Sequence, residues 1–228
     1  MIDTLTPTYI VGLDLGERRD YTALTILQRH VLPTGEAMYD VVELERWRGK
    51  GYSILPGKLS EVVNALYQAG HRAQRDAGRY RSMDPDIHIL VDHTGVGIAV
   101  VEEIRKAVRC IGVTITGGDA VTGSGNDYRV PKRELVGRTQ VLLEQRRLRI
   151  ARDLDLTEVI TRELENFRAK RSLLTGHDSY GAGEDWREGN HDDCVLAVAM
   201  ACWFGEHCLG EDESDEVVGA MNAELSGW

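Results

Sequence analysis

Three short stretches each set a carboxylate at the end of an apolar segment: Gly12-Leu13-Asp14-Leu15-Gly16, Val91-Asp92-His93-Thr94-Gly95-Val96-Gly97 and His191-Asp192-Asp193. An ionised carboxylate taken out of water costs several kcal/mol unless it is hydrogen-bonded, paired or bound to a metal. Three of them on core elements point to one shared cation site. A fold that serves this chain has to bring the three segments together.

Local pattern places each acid. The apolar, β-rich run Tyr9 to Leu15 reads as a strand with Ile10, Gly12 and Asp14 on one face and Tyr9, Val11 and Leu13 on the other. On this reading Gly12 leaves space beside Asp14. Thr22 to Arg29 and Met38 to Trp47 read as two further strands joined through Pro33-Thr34-Gly35, which makes an antiparallel meander. A helix is predicted over Leu59 to Arg75, from the spacing of Val62, Ala65, Leu66 and Ala69. Ile87 to Val91 is a short buried strand that ends at Asp92. Gly95 and Gly97 then open a turn into a helix from about Ile98 to Val108, and Ile111 to Ile115 is another strand. That order implies parallel pairing with a crossover helix.

Residues 117–130 carry loop composition, and Pro131 suits the first turn of a helix running to about Arg147. Arg149-Ile150 is a short extended stretch, Leu156 to Lys170 a second helix, and 172–190 a Gly-rich polar hairpin or loop at the rim of a site. Cys194 to Phe204 is apolar on every side, with Ala197, Ala199 and Ala201, and reads as a helix buried against the sheet at close approach. Asp192 and Asp193 fall in its first turn, where the helix dipole favours them. Capping would account for one of the two and not for both.

Composition narrows the class. The 228 residues fit a single domain, taken here as 1–205, followed by an acidic tail over 206–228 that holds Glu206, Glu211, Asp212, Glu213, Asp215 and Glu216. The formal net charge of −10 owes much to that run, and without it the remainder is mildly acidic. Cationic residues gather at Arg129, Lys132, Arg133, Arg138, Arg146, Arg147 and Arg149, at Arg72, Arg75, Arg79 and Arg81, and at Arg162, Arg168, Lys170 and Arg171. Each group reads alone as an ordinary helix surface, and together they leave room for a phosphate-binding face. Cys110, Cys194, Cys202 and Cys208 form no CxxC pair and read as reduced thiols in a cytoplasmic protein. No apolar run reaches membrane-spanning length, and no GxSxG elbow or Cys-His arrangement marks a covalent hydrolase.

The order of strands, helices and acids resembles the ribonuclease H-like group, and within it the nuclease domain of bacteriophage terminase large subunits. The residues that carry this resemblance are Gly12-Leu-Asp-Leu-Gly16 with Asp20-Tyr-Thr-Ala23, Val91-Asp-His-Thr-Gly-Val-Gly97, Val130-Pro-Lys-Arg-Glu-Leu-Val136, Glu163-Leu-Glu-Asn-Phe167 and His191-Asp-Asp-Cys-Val-Leu-Ala197. It spans residues 9–204 in order. The resemblance implies an α/β, ribonuclease H-like fold: a mixed central sheet with three antiparallel strands followed by parallel strands, and helices on both faces. It also implies an endonuclease that cuts viral DNA during genome packaging in the cytoplasm of a bacterial host, alongside a separate ATPase or other packaging subunits. The chain has no GxxxxGK[ST] phosphate loop, so packaging movement itself does not carry over.

Phosphodiester hydrolysis needs an activated water and a stabilised leaving oxygen, which two divalent ions supply together. Oxygen ligands favour Mg2+ or Mn2+. Asp14 is expected to bridge both ions, Asp92 to hold one, and Asp192 or Asp193 the other. Those two residues stand about 100° apart on a helix, so one is the principal ligand. Asp20 is a further candidate, or simply a turn residue. Lys132 at a helix start, with Arg129, Arg133 and Arg138, is the expected contact to double-stranded DNA. His93 and His191 flank carboxylates and receive no role. The alternatives are a structure-selective resolvase of branched DNA, an actin-like or sugar-kinase-like nucleotide-binding domain using Asp14-Leu15-Gly16, and a non-catalytic DNA-binding subunit.

Overall fold

Strand β1 (Thr8–Asp14) sits at the centre of an eight-stranded sheet because both its faces are apolar and both its edges are paired. β2 (Thr22–Val31) lies antiparallel to it, and β3 (Ala37–Trp47) antiparallel to β2, so the expected meander is present. On the other side β4 (Asp86–Asp92) runs parallel to β1, and β5 (Ile111–Thr116) parallel to β4. The crossover between them is a helix, as the β-turn-α-β reading required. The computed structural model describes residues 7–16, 20–78, 83–95, 98–172 (side chains to 165) and 192–210.

The strand order is β6-β7-β5-β4-β1-β2-β3-β8. The fold is α/β, a mixed sheet in which three antiparallel strands are followed by parallel ones, with helices on both faces. Two departures from the sequence reading lie at its edges. Residues 117–130, expected as a loop, contain β6 (Thr122–Ser124) and β7 (Asp127–Pro131), a hairpin turned through Gly123 and Gly125 at positive φ. Their polar composition hid them, since β7 gains its order from parallel pairing with β5 and not from an apolar pattern. Pro131 accordingly closes β7 and occupies the N-cap of the next helix, one position before the expected one. The stretch at Arg149-Ile150 is β8 (Leu148–Ile150), which pairs parallel with β3 at the opposite edge.

Helices cover both faces. α1 (Leu55–Asp76) starts a turn before the expected Leu59 because Pro56 is compatible with a first helical turn. With α2 (Ile98–Arg105) it packs on Tyr9, Val11, Leu13, Ile89 and Val91. α3 (Lys132–Glu144), α4 (Thr157–Ser172) and α5 (Asp193–His207) cover the face that presents Ile10, Leu90 and Val113. Residues Asp193 to Gly205 of α5 are all buried, which explains why this helix has no polar side.

Gly12 is the reason α5 can lie so close. A Cβ built there would collide with the Ala197 carbonyl and press on Thr25. The space expected beside Asp14 is therefore taken up by helix backbone. Its consequence for Asp14 is indirect: the helix that carries Asp193 rests on the strand that carries Asp14.

Glu206, grouped with the acidic run by sequence, lies within α5, where its carboxylate accepts hydrogen bonds from Arg147 at 2.6 and 3.0 Å and from the Tyr39 hydroxyl at 2.8 Å. The helix continues past the last apolar residue, and Arg147 neutralises the charge it brings. The remaining acids of that run, the segment 173–190, His191, Arg79 and Arg81, and the side chains of Arg168, Lys170 and Arg171 lie outside the described residues. All four cysteines are free. Among the described residues no helix is long and apolar enough to cross a membrane.

Candidate active site

Asp14 and Asp92 are register partners at the C-terminal ends of adjacent parallel strands. Register partners project to the same face, so pairing alone sets the two carboxyls side by side. Only 7% of Asp14 and 6% of Asp92 is exposed. Asp193, 8% exposed, opens α5 above them, and the Gly12 contact fixes the height of that helix over β1.

Burial pushes the Asp14 carboxyl well above the usual carboxylate range, and the charges of Asp92, Asp193 and Asp192 push it further in that order. Asp92 is also raised by burial, but less freely. The Thr94 amide donates to its Oδ1 at 2.7 Å, and His93 lies near enough to favour its charge. A hydrogen bond between the two carboxyls raises Asp14 and lowers Asp92. Both carboxyls are thus held above the usual range, Asp14 the more strongly, as expected when two carboxyls are crowded together out of water.

Asp192 and Asp193 part company here. Asp192 occupies the N-cap position of α5 but makes no side-chain cap bond. Its Oδ2 instead meets Lys132 Nζ, from the first turn of α3, at 2.7 Å, and its side chain is 24% exposed. The helix is capped from elsewhere: Glu163 of α4 accepts the Val195 amide on Oε2 at 3.1 Å and meets Arg46 with Oε1 at 3.2 Å. Burial raises the Glu163 carboxyl to about 7, with Asp193 and Asp192 adding to the shift and Val195 and Arg46 opposing it. Sequence reading assigned Glu163 no role. A lone Glu in a helix gives no sign of which distant amide it will reach.

The other expected residues scatter. Asp20 is exposed in the bend after β1. Arg129 is exposed on β7, Arg133 pairs with Asp119 at 2.5 Å, and Arg138 pairs with Glu134 at 2.9 Å along its own helix. His93 packs beside β5, where its Nε2 lies 3.4 Å from the Thr114 hydroxyl.

Among the described residues no three His, Cys, Asp or Glu side chains stand in metal-ligating geometry. The donor set nevertheless fits a hard divalent cation. All of it is carboxylate oxygen, and the mutual repulsion that lifts Asp14 is what a cation would relieve.

No protein-family model and no curated protein matches the chain. Among solved structures it is similar to the large terminase nuclease of thermophilic phage G20c, at 20% identity over 86% of this chain and 81% of that one, with a TM-score of 0.44. It is likewise similar to the human cytomegalovirus terminase nuclease domain soaked with Mn, at 10% identity over 90% and 86%, TM-score 0.49. The Thermus thermophilus RuvC structure matches at 10% identity over 88% and 97%, TM-score 0.35. Two of these three are nucleases by name. At such identities and scores, the case for activity rests on the side chains.

Proposed function

We propose that the chain is a metal-dependent endonuclease that hydrolyses phosphodiester bonds of double-stranded DNA. The observation that carries this reading is the pairing of Asp14 with Asp92 on adjacent strand ends beneath Asp193, three buried carboxyls whose burial and mutual repulsion oppose charge on Asp14. Two Mg2+ or Mn2+ ions held by Asp14, Asp92 and Asp193 would supply an activated water and stabilise the leaving alkoxide.

The chain's own groups prepare that site. The Thr94 amide holds Asp92 Oδ1 in one orientation. A divalent ion held by Asp14 and Asp92 would compete with protons for these raised carboxyls, so loading would be favoured as pH rises. The α5 N-terminus and its dipole favour charge on Asp193. Lys132 ties Asp192 back and offers an ammonium beside the acids, where a phosphate would sit. This makes Asp193 the principal ligand and Asp192 its tethered neighbour. Following the sequence resemblance, the cut is one made during viral genome packaging, with a separate ATPase moving the DNA.

The test is cleavage of supercoiled plasmid with Mn2+ or Mg2+ by the wild-type chain and by Asp14→Asn and Asp92→Asn. Cleavage by the wild type alone is expected. Undiminished cleavage by both variants would overturn the site.

A further inference from the structure

Arg46 pairs in register with Ala23, Ala23 with Asp14, and Asp14 with Asp92, so one line of partners crosses the sheet from β3 to β4. Partners in register share a face. Arg46 therefore projects to the face that carries the acids, two strand spacings or about 10 Å from Asp14. The chain leaves β3 immediately beyond it through Arg48, Gly49 at a φ of 75° and the exposed Lys50.

Two guanidinium groups converge on one ring here. Arg46 Cζ lies 4.1 Å and Arg48 Cζ 4.9 Å from the centre of Tyr21. Stacking on an aromatic face attracts each cation and fixes its plane, yet the two cations repel one another. Glu163 answers only Arg46. Arg48 is exposed, and no salt bridge among the described residues engages it. A braced, planar guanidinium with open donors is matched to the oxygens of a phosphate.

We propose that Arg48, steadied on Tyr21 and backed by Arg46, binds a backbone phosphate of the DNA strand on the β3 side of the acidic cluster. The proposal rests on the nuclease reading. Buried carboxylates repel a polyanion, so a cation on the same face offsets that repulsion and sets the register of the strand over the acids. Sequence clustering pointed instead to α3, where Arg133 and Arg138 are already paired with acids.

The test is the salt dependence of binding to a fluorescent DNA duplex, by anisotropy, using the full chain in EDTA so that no cleavage occurs. Arg48→Ala is expected to weaken binding several-fold and to lower the slope of log affinity against log salt by about 1, the share of a single phosphate contact. Arg48→Lys should keep most of the slope and lose part of the affinity. Lys106→Ala serves as the control for net charge, because Lys106 is exposed and paired with Glu103. An unchanged slope in Arg48→Ala, or an equal change in Lys106→Ala, overturns the phosphate contact while leaving plasmid cleavage, and so the nuclease reading, intact. A wild-type chain that neither binds duplex nor cuts plasmid overturns both.

Discussion

Glu163 Oε2 accepts the Val195 amide at 3.1 Å, so the helix that carries Asp193 is capped by a residue of another helix and not by its own first residue. Asp192, standing at the N-cap, is thereby released to meet Lys132. The different surroundings of the two neighbouring acids follow from that bond.

Substitution should separate them. Asp193→Asn is expected to abolish plasmid cleavage, while Asp192→Asn, which removes only a tether, should cost about 10–100-fold, the usual effect of a group that orients a metal ligand. Initial cleavage rates at saturating Mn2+ measure the difference. Equal loss in both would mean that both bind the ions directly.

Asp14 is strained in the metal-free chain, since burial and three like charges oppose its ionisation. Its raised folded-state pKa means that stability is fully present below the unfolded value and falls as pH rises. Asp14→Asn should therefore raise the Tm in EDTA at pH 8 by a few degrees and abolish the further rise that Mn2+ gives the wild type. Differential scanning fluorimetry reads both effects without any need for activity.

Glu163 has the same sign. Its carboxyl is raised to about 7 from 4.5, so its contribution is fully present below pH 4.5 and lost as pH climbs through 7. Glu163→Gln mimics the protonated form and keeps an oxygen for Val195. In EDTA its unfolding free energy from urea titration should match the wild type at pH 5 and exceed it at pH 8, by up to about 2 kcal/mol once solvent screening is allowed for.

Gly12→Ala tests the close approach of α5. The added methyl meets the Ala197 carbonyl, a backbone atom that cannot swing aside, and overpacking of this kind costs about 1–3 kcal/mol. Lifting the helix also draws Asp193 away from Asp14. Cleavage at a temperature where the variant remains folded should fall with stability, whereas Gly137→Ala, inside α3 with open space around it, should leave cleavage unchanged and raise stability by about 0.5–1 kcal/mol.

Much of the arrangement was legible in the chain itself. The faces of β1, the parallel pairing of β4, the buried helix after Asp193 and the three acidic stretches all follow from local pattern, because burial imposes a period of two on strands and removes polar residues from an enclosed helix. Where polar composition prevailed, pattern failed: β7 is held by pairing with β5, and Glu206 is held by Arg147 from 59 residues away.

The sequence by itself determined that Asp14, Asp92 and Asp193 would be buried, since each bounds an apolar element that has nowhere to go but the core; it did not mark Glu163, which is buried as well. Only the tertiary structure decided what each meets there. Register put Asp14 beside Asp92, the missing side chain at Gly12 let α5 descend, and Glu163 and Lys132 sorted Asp193 from Asp192. Long-range partners of this kind depend on how elements pack, and the residues that form them carry no local mark of the groups they will meet.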